Sequence, residues 1–568
     1  MKNRLINTLI LFVALNVSSC NYLDFDETSG LYTREDMYEY FSTMQQMLTN
    51  VYSYMPQDFG TIDGAMRDCG SDDAEFGNTG ATVQRYNNGT WSQINTIDVS
   101  WTLYNGIRAA NEFLESFEDV DYSRYENESS YANWLAQMAY HPYEARVLRA
   151  HYLFELARRY GDIPMPLTML SAEEANSIEK TPFEDVIDFI VSECDECSLE
   201  LPLTYSSVTG SQTGRITKGF AMAVKSKALL YAASELHNST MDQDKWERSA
   251  QAALDLLTLS ATEGGSSYYK LDSSDVANNV SSSEAVLFRM NTDSWSFEQY
   301  NFPIRFTEGY RTSLGYTTFP TQNLVDAFQT INGYDVTLDG SLWLCDDPYF
   351  NSQAPYDNRD PRFARAILCN GMEFKGETIE LFAGGLDDVS VSEGGSPTGY
   401  FLRRYIQEET SFTTGSTAQK KHHWIVYRFA ETWLTYAESM IEAFGDPTYS
   451  DNTYTISALE AINTIRDNAG MPNITTTDKD EFIEALRREW RVEFAFEDHR
   501  FWDIRRWMIG EETQKEIYGV YIEKVDNLLT FRRDLYENRT WNSKMNLYPI
   551  PQSELFLNSN LAPQNTGW

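Results

Sequence analysis

LRREWRVEFAFEDHRFWDIRRW, residues 486–507, interleaves six Arg and five acidic side chains with Trp490, Val492, Phe494, Phe496, Phe501, Trp502, Ile504 and Trp507. The run is too apolar for a solvated charge face and too charged for an ordinary core. Leu486, Trp490 and Phe494 recur every four residues and give a helix one wide apolar stripe. Glu489 and Glu493 stand one turn apart, where Arg side chains of neighbouring turns or helices can reach them. Arginine suits this place better than lysine, because its planar fork pairs bidentately with carboxylates and stacks on Trp and Phe. The stretch therefore reads as a buried salt-bridge belt. Desolvation roughly cancels the Coulomb gain of such pairs, whereas deleting one partner costs about 3–5 kcal/mol, so a belt of this kind specifies which helices meet. A catalytic reading would take Glu493, Glu497 or Asp503 with His499 as proton carrier. So many guanidiniums argue against it, since they hold carboxylates ionised and unable to act as general acids.

The 568 residues are enough for several domains or for one long helical repeat fold. With 45 basic against 84 acidic residues the net charge is −39, which repels a nucleic-acid partner rather than steering it in. Aromatics make up 14% of residues, including 35 Tyr and 13 Trp, more than a core alone calls for. Helix packing accounts for most of them, and sugar-stacking platforms are the further use.

Residues 1–19 read as a targeting segment. Lys2 and Arg4 give a positive start, residues 5–17 are mostly apolar yet too few to span a bilayer, and Val17-Ser18-Ser19-Cys20 resembles a lipoprotein lipobox. Cys20 is then the lipidated N-terminus of the mature chain, and residues 20–30, with Asp24, Asp26 and Glu27, form an acidic tether.

Helical patterns follow at 41–54 and 101–114, and again at 144–160, where EARVLRAHYLFELARRYGDIPMP carries small Ala145, Ala150 and Ala157 for close helix approach. Gly161 ends that helix and Pro164 forbids its resumption. Further helices are expected at 182–199, 221–234 and 424–444, and a strand at 284–288. Gly214 to Gly219 (GRITKG) lacks phosphate-loop spacing. Cys194 and Cys197 form a CxxC at a helix end among Glu193, Asp195 and Glu196. Those charges raise thiol pKa values, and with no second CxxC and no nearby His a zinc site lacks ligands. They read as incidental thiols or a local disulfide; no cofactor or metal is expected.

Several of these runs resemble one family. The belt is similar to the ER..EL.FEG.R..DLRRW-like run of SusD-like (SusD/RagB) outer-membrane nutrient-binding lipoproteins, and Tyr548 to Glu554 (YPIPQSE) with Asn558, Asn560, Leu561, Gln564, Asn565 and Gly567 is similar to the family's C-terminal ending. Residues 144–166, the GRITKG run, Asn358 to Arg362 (NRDPR), residues 394–405 and the Asn463, Arg466, Gly470, Met471 run match as well. Trp490 stands where the family usually has Arg, and Asp498 where it usually has Gly.

The resemblance implies a mostly α fold: a tetratricopeptide-like helix-pair scaffold with an irregular, loop-rich ligand-binding portion. Residues 31–568 would form a single body, with an N-terminal helical part at 31–260, a loop-rich part at 261–420 and C-terminal helices at 421–568. It further implies a surface-exposed glycan-binding lipoprotein of the outer membrane, capping a SusC-like TonB-dependent transporter and closing over it without bond cleavage. A peptide-binding lid is the family's other specialisation, and a secreted glycoside hydrolase is the enzyme alternative.

Two stretches supply candidate ligand residues. Residues 58–89 are Gly- and Asp-rich with little periodicity, and so long a connection is usually functional or disordered. Arg67, Asp72, Asp73, Phe76, Arg85 and Tyr86 lie there, in a region where the family places part of its ligand surface; a transporter-facing loop is the equal alternative. Residues 291–319 set aromatics in a turn-rich context without a helical partner face, which points to Trp295 and Tyr300. Trp343 and Tyr349 belong to a second aromatic cluster.

Overall fold

In the computed structural model, which describes residues 38, 40–118, 120–206, 213–262, 269–311, 315–391 and 394–568, eight helices pack one against the next in chain order. They are α1 (Phe41–Ser53), α2 (Leu103–Glu118), α3 (His141–Tyr160), α4 (Phe183–Glu200), α5 (Lys218–Ala233), α6 (Gln243–Thr262), α7 (Phe429–Phe444) and α8 (Ala458–Ala469). Each meets chiefly its neighbours in the row, the arrangement of a tetratricopeptide-like helix-pair scaffold. Close approach follows from small residues: Ala145, Ala150 and Ala157 of α3 and Ala221, Ala223 and Ala228 of α5 are fully buried. Side chains fix where helices begin. Thr217 accepts from the Phe220 N–H at α5, and Ser457 with Glu460 forms a capping box at α8.

The row is interrupted between α6 and α7 by the loop-rich part, whose strands are short, and one further short strand, β1 (Ala74–Phe76), comes from the connection between α1 and α2; the others are β2 (Ala285–Arg289), β3 (Thr318–Pro320), β4 (Thr337–Asp339), β5 (Leu342–Leu344) and β6 (Trp424–Arg428). β1 pairs with β3, β2 with β6 and β4 with β5, all antiparallel. The helix expected over 424–444 is thus a strand for its first five residues. Trp-Ile-Val-Tyr-Arg is β-branched and aromatic, and it pairs with β2 before the chain turns helical at Phe429. A long hairpin, β7 (Glu516–Val525) with β8 (Leu528–Asn538), was not anticipated. Among the described residues no helix is long and apolar enough to cross a membrane. The expected targeting segment 1–19, Cys20 and the tether to residue 30 lie outside the described residues.

The belt is buried as its sequence implies. α9 (Lys479–Glu493) and α10 (Arg500–Arg506) carry it, but most of their partners come from elsewhere in the chain. Arg428, at the end of β6, bonds Glu284 (2.6 Å), Glu493 (2.6 Å) and Glu497 (2.8 Å). Arg362 reaches Asp360, Glu489 and Glu493, and Arg466 takes the second oxygen of Glu489 at 2.9 Å. Burial alone would raise Glu493, yet Arg428 and Arg362 hold it down to about 2. Trp502 of α10 is 1% exposed and lies under the guanidiniums of Arg158 (4.0 Å) and Arg159 (4.8 Å) from α3. The belt therefore ties the N-terminal helices to the C-terminal ones, and the loop-rich part hangs from that frame. The described cysteines, Cys69, Cys194, Cys197, Cys345 and Cys369, are free thiols, and burial pushes Cys197 up to about 12.

Candidate functional site

Immediately after β2 the chain opens into a cleft of about 300 Å³. Asp293–Ser294 pairs with Lys420–Lys421 as a short two-stranded ribbon, and a helical turn, Ser296–Asn301, follows. Tyr300 supplies an aromatic wall, and outside the lining its ring lies 5.1 Å from that of Tyr316, which is 48% exposed. The loop at residues 57–66 supplies a second part of the lining. Gly64 there has φ +96°, and an added Cβ would come within 2.7 Å of the Tyr316 ring, so only glycine allows this approach. Phe59 closes the floor, edge-on to Phe297 at 5.1 Å and to Trp424 at 5.1 Å.

The polar lining is uncharged apart from a histidine already engaged. Asn291 donates its amide to Gln57 Oε1 and to the His422 carbonyl, both at 2.8 Å. His422 Nε2 lies 2.7 Å from Glu298 Oε1 in a buried pair. Burial lowers the pKa of His423, whose Nδ1 accepts from the Asn291 N–H. Behind the aromatic wall the buried Arg311 donates to the Tyr300 and Phe302 carbonyls and the Thr317 hydroxyl. No carboxylate pairs with it among the described residues, and burial pushes it down to about 10. It pins the two ends of the aromatic loop together.

A separate trough of about 690 Å³ runs along α1, with Gln45, Gln46, Thr49 and Ser53 on one side and Glu144, Arg215 and Arg289 among its charged lining.

Of the residues expected from sequence, Tyr300 lines the cleft, and Trp295 stands next to it, half-buried, with its ring 6.3 Å from Tyr310 and 6.4 Å from Phe412. Trp343 is elsewhere, packed on Phe531 (5.6 Å) and Tyr356 (6.0 Å), and Tyr349 beyond it is 80% exposed. Five of the six from residues 58–89 face inward and present nothing to a ligand. Arg67 pairs with Asp98 and Asp498, Asp72 with Arg491 and Arg500, and Asp73 with Arg491. Phe76 is fully buried, and the Tyr86 hydroxyl bonds that of Tyr548 at 2.7 Å. Arg85 is half-buried and donates to the Thr96 carbonyl. Phe59, Gln57, Gly64 and His422 were missed. Gly60 and Gly64 flanking a tight turn were the available signal for the first three; His422 carried none.

The family description "SusD family" fits residues 283–568, and a second, "Starch-binding associating with outer membrane", fits residues 21–230. The chain belongs to the SusD family. It is 23% identical to "SusD-like protein P2" of Formosa agariphila over 98% of this chain and 99% of that one. A SusD-like protein of Bacteroides fragilis superposes with a TM-score of 0.76 at 24% identity, covering 94% of this chain and 99% of its own. A SusD-like carbohydrate binding protein of the same organism gives 0.72 at 23% identity, with 93% and 100% covered.

Within this SusD-family chain the two departures at the belt have physical accounts. Asp498 has φ +62°, the left-handed conformation that favours the glycine usual there, and its carboxylate takes up Arg67 and Arg158 (3.3 Å). Trp490 is 1% exposed, with the Arg506 guanidinium 5.3 Å from its ring centre. The catalytic alternative fares poorly on geometry. His499 Nε2 sits 3.3 Å from Glu431, Arg404 and Arg428 hold Glu497, and Asp503 is bound to Arg506 at 2.7 Å. The cavity beside His499 is about 40 Å³, space for a water molecule and not for a sugar ring.

Proposed function

We propose that this SusD-family protein is a surface-exposed glycan-binding lipoprotein: it takes an oligosaccharide into the cleft beside Tyr300 and passes it, uncleaved, to a SusC-like TonB-dependent transporter. The observation that carries the proposal is the meeting of aromatic faces with amide and hydroxyl groups in one cleft. A sugar's C–H face covering a ring gains about 25 cal/mol for each Å² of apolar surface removed from water, while its hydroxyls pair with side chains such as Gln57 and Ser296. The second family description and the carbohydrate-binding neighbour support a saccharide over a peptide. Attachment is through lipid on Cys20, with the body facing the cell exterior.

The test is capture of tagged protein from detergent-solubilised outer membranes, with the purified protein then applied to immobilised polysaccharides. A large β-barrel transporter is expected to co-purify, and a polysaccharide to be bound without release of product. Retention of peptides and of no polysaccharide would make the protein a peptide lid. Glycan turnover abolished by a single carboxylate substitution would make it a hydrolase.

A further inference from the structure

Resting on the reading of the cleft as the glycan site, its chemistry bears on which glycans enter. Among the described residues that line it there is no Lys, Arg, Asp or Glu. The imidazole of His422, the remaining basic group of the lining, is engaged with Glu298 at 2.7 Å. The guanidinium of Arg311, bonded to the Tyr300 carbonyl, is 7% exposed, with its N–H groups directed at two carbonyls and a hydroxyl. Two lysines stand on the rim, and Lys421 faces Asp293 across the ribbon. Asp63, between Gly60 and Gly64 in the wall loop, is exposed and adds negative charge there.

The hydrogen-bonding character points the same way. Both amide bonds of Asn291 are donated within the protein, which leaves its oxygen as the group it offers. Asn301 is likewise committed, donating to the Phe297 carbonyl and accepting from the Thr318 N–H. A sugar hydroxyl both donates and accepts and suits such a lining, whereas a carboxylate or sulfate only accepts. An anion brought into the cleft would lose water without gaining a cation, finding at most neutral amide and hydroxyl donors, against the field of a chain with net charge −39.

We infer that the cleft selects uncharged glycan chains and rejects those bearing uronate or sulfate groups.

Affinity electrophoresis of the full mature chain at physiological salt tests this, with laminarin, glycogen, galactomannan and arabinoxylan as neutral probes and alginate, polygalacturonate and carrageenan as anionic ones. Tyr300→Ala and the cleft-filling Thr292→Trp serve as controls, each checked to unfold cooperatively within a few degrees of the unsubstituted protein. The expected result is retention by at least one neutral polysaccharide, lost in both variants, with retention by every anionic one at least about tenfold weaker. Retention by an anionic polysaccharide that is lost in both variants and weakens on Lys420→Ala overturns the selectivity and leaves the glycan site standing. Binding that neither variant affects places the glycan elsewhere and overturns the cleft reading itself, as does retention by none of the seven.

Discussion

Around Trp502 the protein gathers guanidiniums from α3 and from the loop at residues 66–71 against the carboxylate of Asp498 in the turn between α9 and α10, and each is ion-paired from within. Around Tyr300 it leaves uncharged groups and half-exposed rings facing a cavity. The two regions belong to one chain and share the hydrophobic core, yet they use opposite chemistry. Charge in the belt is directional and partner-specific, so it can fix helices far apart in sequence in one arrangement. Aromatic faces and amides are undemanding about partners, which suits a site that must accept and release a ligand. The contrast explains why a strongly charged sequence presents a neutral cleft: its arginines are structural, and its acids outnumber them at the surface.

The largest effect that would break this division is at Arg428. Arg428→Met leaves Glu284, Glu493 and Glu497 without their shared cation, and unfolding in urea should show a loss of about 3–5 kcal/mol. A change below about 1 kcal/mol would mean that the belt does not organise the fold. Tyr300→Ala should do the reverse, lowering polysaccharide retention at least about tenfold while removing about 1 kcal/mol of ring packing with Tyr316.

Acid and base sharpen the same comparison. Burial would raise Glu493, Asp98 and Glu431, but Arg428, Arg67 and Lys227 respectively hold all three down to about 2. Their contribution is present above the unfolded carboxylate range of about 4 and is lost as pH falls toward 2. Asp58 and Glu75 are pushed the other way, up to about 7, because burial outweighs the pull of Arg67 and Arg539. Protonated, they add stability below about pH 4 that disappears as pH rises through 7. Urea midpoints should therefore be higher at about pH 5 than at pH 3 or pH 8. Replacing both groups with amides, Asp58→Asn and Glu75→Gln, should flatten the alkaline side alone.

Much of the frame was legible because its signals are local. The four-residue spacing of Leu486, Trp490 and Phe494, the alanines of α3 and the stop at Gly161 all act within a turn or two of the chain. The strand Trp424–Arg428 was hidden because the helix that follows it is strong and its partner, β2, lies well over a hundred residues earlier. The β7–β8 hairpin was legible in principle, with Asp526-Asn527 in left-handed conformation at its tip between alternating apolar residues. The site was harder to read. Asp73 in a loop looks the same whether it faces a sugar or Arg491, and Arg491 lies 418 residues away. Residue type declares what a side chain can bond, and only tertiary structure decides whether the protein has already bonded it. Trp343 illustrates this for rings: it shares its neighbourhood in sequence with the exposed Tyr349, but Phe531 of the distant hairpin covers it.

The smallest expected effect separates two properties that coincide at Asp498, conformation and charge. Its φ of +62° disfavours any side chain, while its carboxylate bonds Arg67, Arg158 and the Trp502 indole N–H. Asp498→Ala loses the charge and keeps the strain; Asp498→Gly loses the charge and relieves it. Arg67 retains Asp98 and Arg158 retains Glu155, so neither guanidinium is left bare. The alanine variant should be the less stable of the two by about 1 kcal/mol, the left-handed penalty of a Cβ. Equal stabilities would mean that the backbone at this position relaxes once the ion pairs are gone, and that the charges hold the turn rather than the turn placing the charges. In either case the belt is altered without touching the cleft, so polysaccharide retention should match that of the unsubstituted protein; a parallel loss of binding would show that the belt and the cleft are mechanically coupled.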